Sequence, residues 1–155
     1  VPSRPMTPHE AALLRKVIAV DFINADAWRQ GFFFGSLPFG LHQVAGGPCG
    51  VLAAVNAFLM KHIFTDPRTT SLNEVLLVPE PIRKKALVDA VLEILWRNAG
   101  DGKRCVLVLP NSSACTGQLF SLQNPAVLQQ AFQILEFSSA ENARAALAGT
   151  GTNKQ

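Results

Sequence analysis

No stretch of this chain approaches the ~20 consecutive apolar residues that a membrane-spanning helix requires. The best candidate, Val51 to Met60, is interrupted by Asn56 and followed by Lys61 and His62, so no membrane partner is expected. Val1 to Arg15 carries charges and lacks the apolar core of a secretory signal. Val1 is itself not Met, and a native start further upstream is expected. There is no internal repeat and no low-complexity tract. Cysteine is scarce: Cys49, Cys105 and Cys115 are odd in number and widely spaced. That excludes a disulfide framework and a zinc knuckle, and it implies a reducing, intracellular compartment, the cytoplasm with the nucleus still open. No metal and no cofactor are expected. Charge of one sign is also lacking: 14 Lys and Arg against 11 Asp and Glu leave +3. Arg83-Lys84-Lys85 is the only tight basic cluster. With no aromatic residues interleaved it reads as a solvated helix start, so no nucleic-acid partner is expected.

What the chain does have is apolar bulk. Of its 155 residues 48% are hydrophobic, and the mean hydropathy is +0.21. Such a chain can bury a substantial core. The length is that of one domain or a piece of a larger one, and the apolar excess suits a fragment whose missing part covers exposed surface.

Thr7-Pro8-His9-Glu10 has the form of a capping box with Pro at the first helical position, and predicts a helix from Pro8 to about Val20. Trp28 is expected to anchor the mixed segment before Gly31. Gly31-Phe32-Phe33-Phe34-Gly35 is a buried strand or a packed loop, and the Gly- and Pro-rich stretch from Ser36 to Pro48 is a loop. From Cys49 the spacing of Leu52, Val55, Leu59 and Ile63 predicts a helix to about Phe64, broken by Asp66-Pro67. Thr65 to Pro81 reads as a linker with a short strand at Val75 to Val78. Pro81 opens a long helix whose inner face is Ile82, Leu87, Val91, Ile94 and Leu95, ended by Gly100 and Gly102. Cys105 to Leu109 is continuously apolar and predicts a buried strand. Phe132 to Phe137 predicts a half-buried strand, and Ser138-Ser139-Ala140-Glu141 caps a last helix to about Leu147. Residues 149–155 read as a frayed tail. The expected fold class is α+β.

Gly46-Gly47-Pro48-Cys49-Gly50 is where chemistry concentrates. A thiol attacks only as thiolate. The first turn of a helix offers unpaired N–H groups and a partial positive charge that favour that form. Pro48 suits the helix start, and Gly46, Gly47 and Gly50 leave room for a substrate backbone. Gln43 lies six positions upstream. Its amide and the Cys49 N–H would together hold a tetrahedral oxyanion, as thiol proteases require. The competing reading of Cys49 is a small buried apolar residue, and of Gln43 a surface amide. Cys105 reads as a packed thiol and Cys115 as an ordinary exposed one.

A general base is harder to find. His9 sits in the capping turn. His42 adjoins Gln43 and would have to fold back over the oxyanion site. His62, thirteen residues along the helix from Cys49, lies about 20 Å from it, too far for proton transfer.

Gln30-Gly31-Phe32, Gly40-Leu41-His42-Gln43, Gly46-Gly47-Pro48-Cys49-Gly50-Val51-Leu52-Ala53-Ala54-Val55 and Ala57-Phe58-Leu59 resemble the MINDY deubiquitinases, in the branch numbered three and four. Ala86, Leu87, Ala90, Leu95 and Trp96 fit the same branch. The resemblance implies a papain-like cysteine protease fold, with residues 1–155 forming the N-terminal portion of one catalytic domain. It implies hydrolysis of isopeptide bonds in polyubiquitin, of the linkage type that marks proteins for the proteasome. Cys49 then matches the nucleophile and Gln43 the oxyanion glutamine, while Gly46 and Gly47 suit a narrow channel for the Gly-Gly tail of ubiquitin. The family's catalytic histidine belongs to a Ser-Glu-Ser-His-like motif that this sequence does not contain. Two expectations therefore stand side by side: a deubiquitinase whose dyad is incomplete in this chain, or an inactive pseudoenzyme that binds ubiquitin.

Overall fold

A computed structural model of the chain describes residues 3–18, 31–37, 39–44, 49–69, 71–100, 104–110 and 125–149. The element order is β1 (Ser3–Pro5), α1 (Pro8–Ile18), β2 (Phe33–Phe34), β3 (Leu41–His42), α2 (Cys49–Phe64), α3 (Leu72–Leu76), α4 (Glu80–Arg97), β4 (Cys105–Pro110), α5 (Pro125–Ala131), β5 (Phe132–Phe137) and α6 (Ala140–Leu147). The mixture of helices and small antiparallel sheets is α+β. The expectations for Trp28, Gly102, Cys115 and the tail beyond Gly149 lie outside the described residues.

The central packing is α2 against α4. Leu52, Val55, Leu59 and Ile63 recur every three to four residues, and all four are buried. A stripe at that spacing covers one helix face. Leu59 and Ile63 are fully buried, and truncating such a side chain to Ala costs about 2–5 kcal/mol. They meet Ile82, Ala86 and Ala90 of α4, with Val75 and Val78 closing the cluster. The face of α4 in this cluster is thus Ile82, Ala86 and Ala90, with Leu87 packed against it, while Leu92 belongs to a second cluster with Cys105, Phe137 and Ala143. Leu87, Val91, Ile94 and Leu95 are only half-buried. Small alanines let the two helix backbones approach closely.

The segment expected as a linker with a strand instead holds α3. Ser71 accepts a hydrogen bond from the Glu74 N–H, and Glu74 accepts one from the Ser71 N–H. This reciprocal capping box starts a helix and turns Val75 into the core. Thr69 is buried and donates its hydroxyl to the Ile63 and Asp66 carbonyls. It thereby adds a second donor to the Ile63 carbonyl near the end of α2, which also accepts the Asp66 N–H.

A three-stranded antiparallel sheet has the order β1-β5-β4. Phe132–Phe137 is the central strand, as its half-buried pattern suggests. The neighbouring Cys105–Pro110 strand differs from expectation. Cys105 is buried, but Val106, Val108 and Leu109 are exposed. An edge strand with one open face needs no polar alternation to form, and a continuous apolar run does not report burial on both faces. Ser139 is the N-cap of α6 as expected, although its side chain makes no capping bond.

The sheet is tied to α1 by charge. Thr7 and Glu10 form the expected capping box. The Arg4 guanidinium bridges Glu10 and Glu136, with Nη1 to Glu10 Oε2 at 2.9 Å and Nε to Glu136 Oε1 at 2.9 Å. Arg4, then the Thr7 N–H, hold the Glu10 carboxyl at about 2, below its ordinary 4.5. Arg4 lowers Glu136 as well. A carboxylate depressed by folding adds stability above its unfolded value and loses it as pH falls toward its folded one. Thermal unfolding followed by circular dichroism should therefore show stability falling as pH drops from about 4.5 to about 2. Arg4→Met should flatten that fall.

Candidate active site

Helix α2 begins at Cys49, and no acidic side chain occupies its first turn to cancel the partial positive charge there. Lys61 and His62 sit in its last turn, where the Lys61 cation complements the opposite pole. Cys49 is exposed, which removes the reading of a packed thiol. Gly50 beside it is exposed too, and a Cβ built there would meet nothing within 4 Å. The start of α2 is therefore exposed at both Cys49 and Gly50. Gly46 and Gly47 lie outside the described residues.

The second group arrives on a hairpin. Phe33 and Phe34 pair with His42 and Leu41 in a two-residue antiparallel ladder, so the expected loop from Ser36 holds a short strand. Gly35 permits the tight return, since a Cβ there would stand 3.2 Å from the His42 Cβ. Phe34 and Leu41 pack on the α2–α4 cluster, and the Arg83 guanidinium lies 5.0 Å from the Phe34 ring centroid, a cation–π distance. Phe33 points outward and is 54% exposed, which corrects the expectation of a buried aromatic run.

Gln43 follows β3 directly. Its Nε2 donates to Cys49 Sγ at 3.2 Å. Six residues apart in sequence, the amide and the thiol are thus in contact. An N–H aimed at sulfur stabilises negative charge there. Asn56 was not singled out by sequence reasoning. Its Oδ1 accepts the Leu41 N–H at 3.1 Å. The available signal was a carboxamide two helical turns after the cysteine, inside an otherwise apolar run.

None of the three histidines faces Cys49. His62 Nε2 lies 2.9 Å from Glu93 Oε2. Glu93 is also bound by Lys61 and Arg97, and Lys61 holds its carboxyl at about 2. Successive side chains of an extended segment alternate faces. Leu41 faces the core and Gln43 reaches Cys49, so the exposed His42 between them projects the other way. His9 is exposed on α1, which packs on α5.

The family model described as the deubiquitinating enzyme MINDY-3/4 conserved domain matches residues 19–151. The chain belongs to the MINDY-3/4 family. Among its relatives is the probable ubiquitin carboxyl-terminal hydrolase MINDY-4 of Xenopus tropicalis. It is 38% identical over 89 residues, which is 55% of this chain and 12% of that protein. The Mus musculus MINDY-4 is 37% identical over 94 residues, 57% of this chain and 12% of its own length. The Bos taurus ubiquitin carboxyl-terminal hydrolase MINDY-3 is 39% identical over 69 residues, 44% of this chain and 15% of its own length. The stretch that this MINDY-3/4 chain shares therefore spans about an eighth of the MINDY-4 relatives. No solved structure gives a significant match. No helix of the described residues is long and apolar enough to cross a membrane.

The two described thiols differ sharply. Cys105 is buried under Leu95, Trp96 and Phe137, and burial pushes its thiol up from the ordinary value. Alkylation by iodoacetamide, read peptide by peptide in a mass spectrometer, should modify Cys49 at least about tenfold faster than Cys105 in the folded chain. Equal rates would mean that Cys49 is covered.

Proposed function

We propose that this chain carries the nucleophile and oxyanion-binding half of a papain-like, cysteine-type deubiquitinase site. On this reading residues 1–155 are the N-terminal portion of one catalytic domain that hydrolyses isopeptide bonds in polyubiquitin. The observation that supports it most is the Gln43 amide on the Cys49 sulfur at an open helix start, in a chain of the MINDY-3/4 family. The relatives' names supply the substrate class, a ubiquitin carboxyl terminus.

Cys49 attacks the carbonyl carbon of the isopeptide bond as thiolate, and the carbonyl oxygen gains the negative charge. That oxygen then takes two donors, the Cys49 N–H and the Gln43 amide, which leaves the sulfur as the sulfur–carbon bond forms. The lysine amine departs with a proton, and water hydrolyses the thioester. Gly50 leaves room for the Gly-Gly tail beside the thiol, and Gly46 and Gly47 are assigned to the same binding role from the sequence. Phe33, Val44 and Val51 are exposed and offer apolar contact to a partner such as ubiquitin. The proton shuttle is an imidazole from beyond this sequence, in a longer protein of which the chain is a part. The second reading, a pseudoenzyme that binds ubiquitin without cleaving it, is favoured by the orientation of His42 and the engagement of His62 with Glu93.

Ubiquitin bearing a carboxyl-terminal electrophile should label Cys49 in the parent-length protein, and Cys49→Ala should abolish labelling. Gln43→Ala should slow cleavage of ubiquitin chains by about 10²–10³-fold, the usual cost of losing one oxyanion donor. A saturable titration with free ubiquitin, together with chains left intact after long incubation, would establish the pseudoenzyme instead.

A further inference from the structure

The contact between Gln43 and Cys49 joins two elements that the chain links only through residues 44–48. Something must fix β3 against α2, because a two-residue ladder has little rigidity of its own. The Leu41 N–H supplies one attachment. It points away from β2 and donates to Asn56 Oδ1 at 3.1 Å. Asn56 lies seven residues after Cys49. At 100° per residue that is 700°, within about 20° of two full turns, so the two side chains leave the same face of α2. They are separated by about 10 Å along the axis. Leu41 and Gln43 are two residues apart on the strand, a spacing of about 6.6 Å. The strand therefore touches the helix face at two points, Asn56 at one end and Cys49 at the other.

Asn56 is half-buried within an apolar helix, where an unpaired carboxamide would be costly. Leucine would pack there without that cost, but it would leave the Leu41 N–H without an acceptor. Taking Gln43 and Cys49 as a working pair, we infer that Asn56 is the positioning residue of this site: it holds β3 in the register that brings the Gln43 amide to the Cys49 sulfur. It touches neither the sulfur nor the carbonyl that would be attacked, and acts only through Gln43.

The test measures Cys49 alkylation by iodoacetamide at neutral pH in the 155-residue chain, quantified by mass spectrometry. Gln43→Ala should slow alkylation about three- to tenfold, the scale of one lost ordinary hydrogen bond. Asn56→Leu should slow it by a similar factor. Asn56→Asp keeps an acceptor oxygen in place and should restore most of the rate. The double variant Gln43→Ala/Asn56→Leu should be no slower than Gln43→Ala alone, because both changes remove the same contact. A general loss of structure would give neither the rescue nor the lack of additivity. Asn56→Ala serves as a milder variant, and in it the Leu41 amide should exchange with deuterium faster than in the parent chain. A normal Cys49 rate in Asn56→Leu beside a slowed Gln43→Ala would overturn the role of Asn56 and leave the Gln43–Cys49 pair standing. A normal rate in Gln43→Ala would overturn both.

Discussion

Leu59 and Ile63 have to lie against α4, Leu52 and Val55 are buried on the same face, and a helix has no freedom to change the phase between that stripe and its first residue. At 100° per residue the stripe is centred about 75° round the helix from Cys49. The thiol therefore emerges on the flank of the buried face, neither sealed beneath α4 nor turned fully to the opposite side. Asn56 shares that flank, within about 20° of Cys49. The β2–β3 hairpin covers the same region, because Phe34 and Leu41 join the cluster that the stripe forms. One packing constraint thus sets three positions: the sulfur, the carboxamide behind it and the strand alongside.

The hairpin depends on that arrangement more than the helices depend on the hairpin. Two residues per strand make a ladder too short to persist alone in water. Its attachments are the Phe34 and Leu41 side chains, the Arg83 guanidinium over the Phe34 ring and the Leu41 N–H on Asn56. Each reaches α2 or α4. The amide of Gln43 is consequently placed by residues that were selected by the demands of a core, and its alignment on sulfur is a property of the α2–α4 pair.

What could be read in advance follows the same division. Strong periodicity gave α2 its bounds, Cys49 to Phe64, and all four residues of its stripe. The Thr7–Glu10 capping box and the central strand Phe132–Phe137 were equally legible. On the inner face of α4 Ile82 and Leu87 were legible, whereas Ala86 and Ala90 were missed because periodicity weights large residues. The helix α3 was hidden by its brevity. Five residues show no period, and only the Ser71–Glu74 capping box announces them. For β4, composition reported strand formation correctly and burial incorrectly, since exposure depends on which neighbours a strand acquires. At the site, Cys49 and Gln43 stood out because chemistry demands those residue types. Asn56 did not, because its work is to satisfy a backbone N–H whose direction exists only after folding.

The geometry of α2 also explains why the base is missing from the cysteine's own helix. Only residues three and four further on lie beside a helical side chain, and after Cys49 these are Leu52 and Ala53, which carry no proton to exchange. His62 is at the far end of the helix, where it meets Glu93. The strand cannot serve either. Alternation commits Gln43 to the sulfur, and the same alternation sends His42 away from it. Among the described residues β3 stands on one flank of Cys49, and the side at Gly50 is open. Attack by this thiolate on a carbonyl requires the substrate and an imidazole to reach the sulfur from a side that the described residues leave open. An element carrying the imidazole would have to stand across it, close enough to share the sulfur's proton and far enough to admit a chain as narrow as Gly-Gly.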